Sequence, residues 1–128
     1  MRDVLLIAPN AYTFDTMKGL LPAGMEVVQP ENEDRIYLRN QGFAVSVEVN
    51  HSPEVVNIYQ EPWQRAVVGQ VGAEPRFYFV VFWSMADLRD VLSAIADTPD
   101  LFVDNDNGIV ERGDQFVARW RRDRSWGW

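Results

Sequence analysis

The stretch Arg76-Phe77-Tyr78-Phe79-Val80-Val81-Phe82-Trp83 constrains the fold more than any other part of the chain. Residues this uniformly aromatic and β-branched are wasted on a half-solvated surface, so the pattern predicts a central strand covered on both faces, the spine of a sheet. Such a strand needs a neighbour on each side and a packed layer. The next segment offers the layer: Ser84 is an N-cap candidate with Asp87 three residues on, and Leu88, Val91, Leu92 and Ile95 fall at i, i+3, i+4 and i+7. That spacing predicts an amphipathic helix, ended by Thr98-Pro99.

The neighbouring strands are sought in the rest of the chain. Val4 to Ala8 reads as a short buried strand, and Tyr12 to Leu21 as a helix closed by Gly19 and Pro22. The span from Ala23 to Asp34, with Gln29-Pro30 and the acidic Glu31-Asn32-Glu33-Asp34, reads as a surface loop. Ile36 and Leu38, then Phe43, Val45, Val47 and Val49, alternate with polar or small residues around Asn40-Gln41-Gly42, which predicts a hairpin. Between Pro53 and Val71 the signals conflict: Val55, Val56, Ile58 and Tyr59 look strand-like, Pro62 breaks any regular element, and Gly69 and Gly72 punctuate the remainder. Leu101-Phe102-Val103 and Ile109-Val110 flank Asp104-Asn105-Asp106-Asn107-Gly108, where Asn107-Gly108 suits the positive φ angles of a tight turn. Gly113 and Asp114 then open a last helix carrying Phe116, Val117 and Trp120. The expected fold is α+β: a single globular domain over residues 1–128, mostly an antiparallel sheet, with about three helices packed on one face.

Composition agrees with one self-sufficient domain. A chain of 128 residues, 47% hydrophobic and 24% charged, encloses one core and lacks the signature of disorder. It contains no cysteine, which excludes disulfides, cysteine-ligated zinc, iron–sulfur clusters and thiol nucleophiles. The apolar run at Val4–Ala8 is too short for a signal-peptide core, and no stretch approaches the roughly 18 apolar residues of a membrane helix. These features point to the cytoplasm and to no membrane partner. A net charge of −7 argues against a nucleic-acid partner, whose phosphates need neutralising bases.

Residues 97 to 111 hold Asp97, Asp100, Asp104, Asp106 and Glu111 and no base, a local charge of −5. An EF-hand register fails, because setting Gly108 at the loop's glycine position puts Val103 at its first ligand position. Asp100, Asp104, Asp106 and Glu111 could instead hold magnesium for a small metal-dependent hydrolase. The simpler account is a turn rich in Asp and Asn because those side chains bond their own backbone. His51, the one histidine, leaves a single imidazole for general-base work, and none of Ser46, Ser52, Ser84, Ser93 or Ser125 sits in a nucleophile elbow. Gly69-Gln70-Val71-Gly72 lacks the residues of a phosphate cradle, and Lys18 has no acid two residues before it, as a nuclease motif would require.

The second unusual segment is the C-terminus. Residues 119–128 carry four arginines and three of the five tryptophans, the types most enriched in binding hot spots. Arginine near a helix end also complements the helix dipole, and Trp126 or Trp128 could fold back over the sheet edge. A small, acidic, cysteine-free, tryptophan-rich chain without a catalytic signature resembles in type the bacterial immunity and antitoxin proteins that cap a partner. The resemblance implies a non-catalytic protein-binding domain without catalytic residues, bound metal or cofactor. Asp100, Asp104, Asp106 and Glu111 would then meet a basic protein, with Trp126 and Trp128 as anchors. Self-association through the aromatic tail is the other possibility.

Overall fold

The computed structural model describes residues 2–39, 44–50, 59, 61–72 and 74–128. In chain order the elements are β1 (Arg2–Ala8), α1 (Phe14–Leu20), β2 (Glu26–Val28), β3 (Arg35–Arg39), β4 (Ala44–Asn50), α2 (Pro62–Val71), β5 (Arg76–Phe82), α3 (Met85–Ile95), β6 (Phe102–Asp104), β7 (Val110–Arg112) and α4 (Gly113–Arg122). Among the described residues they form an α+β domain, a seven-stranded antiparallel open sheet with four helices packed on it. The strand order is β2-β3-β4-β5-β1-β6-β7, so the aromatic β5 lies at the centre. Its register against β1 aligns Phe77 with Ile7 and Val80 with Val4, and against β4 it aligns Val80 with Val47. Phe77 and Tyr78, which face opposite sides of the sheet, are both buried, as a doubly covered strand requires. Trp83, at the end of the apolar run, lies outside the strand and is 50% exposed.

One face of the sheet carries the larger core. Val4, Leu6, Ile36, Leu38, Val45, Val47, Tyr78, Val80, Phe82 and Val103 pack there against Met17 of α1, against Leu88, Val91, Leu92 and Ile95 of α3, and against Phe116, Val117 and Trp120 of α4. Helix α3 starts where its sequence predicts, with the Ser84 side chain accepting a bond from Asp87 N at 3.1 Å. Two tyrosines thread this core. The Tyr12 hydroxyl donates to the carbonyl of Ile95, and the Tyr78 hydroxyl donates to the carbonyl of Tyr12. Burial raises both phenols above their ordinary pKa.

The opposite face holds a second cluster: Leu5, Ile7, Phe77, Tyr59 and Val71, with Val67, Val68, Phe79 and Phe102 against them. Helix α2 covers this side, so the helices flank both faces of the sheet rather than one. Pro62 does not break a helix here; it opens one. A proline at the first helical position loses no intrahelical bond and arrives with a suitable φ, and Gln64 and Glu61 complete a reciprocal capping box. A second departure from the sequence reading is β2, an edge strand inside the segment read as loop. Val27 aligns with Leu38 and packs on the main core from that edge.

Strand β7 passes straight into α4 at Gly113. Its backbone nitrogen donates to Leu101 O at 2.8 Å, and a Cβ built on it would lie 2.1 Å from Ala96 O and 2.8 Å from Leu101 Cδ1. Only glycine permits that approach. It seats α4 on the connection between α3 and β6 and so fixes the acidic hairpin beside the C-terminal helix. Among the described residues no helix is long and apolar enough to cross a membrane.

Candidate functional site

The acidic turn and the arginine and tryptophan tail, distant features in the sequence, form one unit. Asn105, only 3% exposed, is its centre. Its Oδ1 accepts bonds from Asn107 N at 2.9 Å and Ile109 N at 3.1 Å, and its Nδ2 donates to the carbonyl of Gly127. Asn107 Nδ2 reaches the same carbonyl at 3.3 Å. The turn that results is wider than the Asn107-Gly108 pair suggested. Asn105 N bonds Ile109 O at 3.0 Å, and the positive φ angles fall on Asp106 (55°) and Gly108 (86°). The Asp104 carboxylate steadies Asp106 by accepting its N–H at 2.9 Å. Asp and Asn are here because their side chains replace the missing backbone ladder.

The tail is packed rather than free. Trp126 lies 5.1 Å from Phe116 between ring centroids, and Trp128 lies 5.4 Å from Trp120 and 6.1 Å from Phe82. Both tryptophans are half-buried, and the edge-on geometry of most of these pairs is the favoured one. Arg119 stacks over Trp126 at 5.3 Å and Arg89 over Trp120 at 5.4 Å. Asp123 closes the reversal after α4 by accepting from Ser125 N and Oγ, and these bonds hold its carboxyl below the ordinary range.

Arginines of α4 answer two of the five acids in the 97–111 stretch. Arg121 pairs with Asp97 at 3.1 Å and Arg119 with Glu111 at 3.3 Å. Asp104 instead accepts from the Tyr59 hydroxyl at 2.9 Å, while Tyr59 stacks on Phe77 at 5.9 Å. Burial foremost, then the adjoining Asp104 carboxylate, pushes the Tyr59 phenol well above its usual pKa. Asp100 is exposed, its carboxylate touched by its neighbour Thr98 at 3.4 Å, and Asp106 is exposed.

These carboxylates do not converge. Asp104 aligns with Leu5 and Val110, whereas Glu111 aligns with Val103, so alternation along the strands puts them on opposite faces of the sheet. Among the described residues no three His, Asp or Glu side chains stand close enough to share a metal ion. His51 and Ser52 lie outside the described residues, as do Asn40-Gln41-Gly42, Phe43, Pro53, Val55, Val56 and Ile58. Ser84 is a cap, Ser46 is buried in the sheet, and Ser125 is bound to Asp123.

A shallow depression of about 450 Å³ opens at the ends of β3 and β4, lined by Glu33, Asp34, Arg35, Glu48, Val49 and Asn50. Its central cation is already committed. Arg35 bonds Glu48 at 2.5 Å and the Tyr37 hydroxyl at 3.1 Å. Sequence reading found neither this cross-strand pair nor the roles of Tyr59 and Gly127. Only the Asp and Asn richness of residues 104–107 hinted at Asn105. No protein-family model, curated protein or solved structure matches the chain.

Proposed function

We propose that the chain is a non-catalytic protein-binding domain that presents the β6–β7 turn to a basic protein surface. One observation carries the reading. The turn fixes Asp106 and its neighbours by side-chain-to-backbone bonds, while the nearest arginines of α4 are spent on Asp97 and Glu111. The charge left over stands on a rigid, solvated projection, and Asp100 adds exposed negative charge at the opposite end of β6. Oriented negative charge of that kind speeds encounter with a basic partner and sets its orientation. A preformed turn also loses little conformational entropy on binding. In this reading Trp126 and Trp128 serve the partner surface indirectly, by holding the turn through Gly127, and a capping role of the immunity or antitoxin type is one form it takes.

The test is affinity capture from the source cell with the parent protein and with an Asp100→Lys/Asp106→Lys variant, at low and at high salt. The reading expects a specific basic protein that the parent retains at low salt and that the variant loses. Equal capture by both would remove the turn from the interface.

A further inference from the structure

The same turn carries a chemical weak point. Asn107 is exposed, and Gly108 follows it with open space where a Cβ would lie. Among the described residues nothing accepts a hydrogen bond from Gly108 N. A main-chain nitrogen that is neither shielded by a side chain nor held by an acceptor is the nucleophile that cyclises an asparagine. We infer that Asn107 is a site of spontaneous deamidation in the native protein. The Gly108 nitrogen bonds to Asn107 Cγ, the Cγ–Nδ2 bond breaks, and Nδ2 leaves as ammonia with the proton lost from Gly108. Water then opens the succinimide at one carbonyl or the other, giving aspartate or isoaspartate.

The turn supplies its own comparator. Asn105 is buried, both ends of its amide are bonded, and the nitrogen that would attack it, Asp106 N, is held by the Asp104 carboxylate at 2.9 Å. Two asparagines two residues apart therefore differ in the access that the cyclisation needs. The product has a structural consequence. A carboxylate replaces the Asn107 amide that donates to Gly127 O, and the isoaspartate form adds a methylene to the main chain between the two bonds that converge on Asn105 Oδ1. The turn gains negative charge and loses one of its two ties to the tail.

The experiment is incubation of the whole protein in mildly alkaline buffer, followed by peptide mass mapping and enzymatic assay of isoaspartate. Amide-to-acid conversion is expected at Asn107 and not at Asn105, with ammonia released in equal amount. The rate should rise with pH, since the attacking nitrogen must lose its proton. A Gly108→Ala variant, checked for a retained melting transition because alanine is strained at this positive φ, should react about tenfold more slowly, equivalent to a barrier about 1.4 kcal/mol higher. Intact Asn107 after prolonged incubation, or conversion of Asn105 at the same rate, would overturn the inference without reference to any variant.

Discussion

The two faces of the sheet are closed by different means. On one, three helices bring Met17, Trp120, Phe116, Leu88, Leu92 and Ile95 down onto Tyr78, Val80 and Phe82, with every one of these side chains at 2% exposure or less. On the other, α2 contributes the valines Val67, Val68 and Val71, and the remaining cover includes Tyr59, which is tied to Asp104 at its polar end. Apolar area removed from water sets most of the stability, so the first face holds the fold together and the second adds a thinner layer. The difference also bears on the candidate site. Asp104 braces the acidic turn through Asp106 and at the same time anchors the thin face through Tyr59. The projecting turn and the lightly packed side of the domain thus share one carboxylate.

The comparison breaks first if the faces prove equally costly to disrupt. Trp120→Ala should destabilise by about 3–5 kcal/mol and Leu92→Ala by about 2–5 kcal/mol, as large-to-small changes in a well-packed core do. Val71→Ala, on the other face, removes fewer atoms from a site already at the edge of solvent and should cost about 1.5 kcal/mol. Denaturant unfolding of the three variants measures all of this. A loss at Val71 as large as that at Leu92 would make the two layers equivalent.

The polar tether comes next in size. Tyr59→Phe keeps the ring on Phe77 and deletes the bond to Asp104, an expected loss of about 1–2 kcal/mol for a hydrogen bond to a charged acceptor. Its signature is a pH dependence. The unfolded phenol ionises near pH 10, and in the folded protein the Tyr59 value is raised. The stabilisation is therefore fully present below about pH 10 and fades as the pH climbs toward the folded value. Tyr12 and Tyr78 shift in the same direction, so the parent should lose stability on the alkaline side. Melting curves between about pH 9 and 11 should show a shallower decline for Tyr59→Phe than for the parent. Parallel declines would mean that Tyr59 is not held protonated by its surroundings.

The thick face was legible in the sequence for the same reason that it is stable. A strand of unbroken apolar residues and a helix with four large side chains at regular spacing announce themselves because burial on that scale demands them. The thin face lacks such a signal. Its helix is ten residues of Pro, Trp, Gln, Arg, Ala, Val and Gly, where β-branched residues suggest strand and glycine suggests a bend. Pro62 misleads unless its position relative to the helix start is known. The edge strand β2 has three residues, too few for alternation to be read. At the site, the excess of acids and of tail arginines was plain, but their mutual neutralisation was not. Arg121 and Asp97 are joined only because Gly113 lets α4 lie against the end of α3, a contact between backbones that periodicity does not encode.

The smallest expected effect on stability is the most informative about function. Asp106 stands in a left-handed conformation that asparagine also tolerates, and an Asp104→Asn amide keeps one oxygen for Asp106 N while its NH2 group takes the place of the oxygen that accepted from the Tyr59 hydroxyl, where it can donate to the phenol oxygen instead. At the exposed Asp106, substitution by asparagine should change stability by no more than about 0.5 kcal/mol. The double change Asp104→Asn/Asp106→Asn removes two charges from the turn; circular dichroism checks that the fold is kept, and any fall in melting temperature should not exceed that of Tyr59→Phe, which deletes the same bond to Asp104. Association with a basic partner should nonetheless slow, and its dependence on salt should flatten, because steering acts on encounter rather than on the fold. Trp126→Ala should do the reverse. It strips the ring that lies 5.1 Å from Phe116, so its main effect is a lower melting temperature, and partner binding falls only as far as the turn loosens. A double-asparagine protein that associates at the parent's rate at both low and high salt would leave the turn as a structural device alone. Loss of binding in Trp126→Ala with an unchanged melting curve would instead place that tryptophan in the interface.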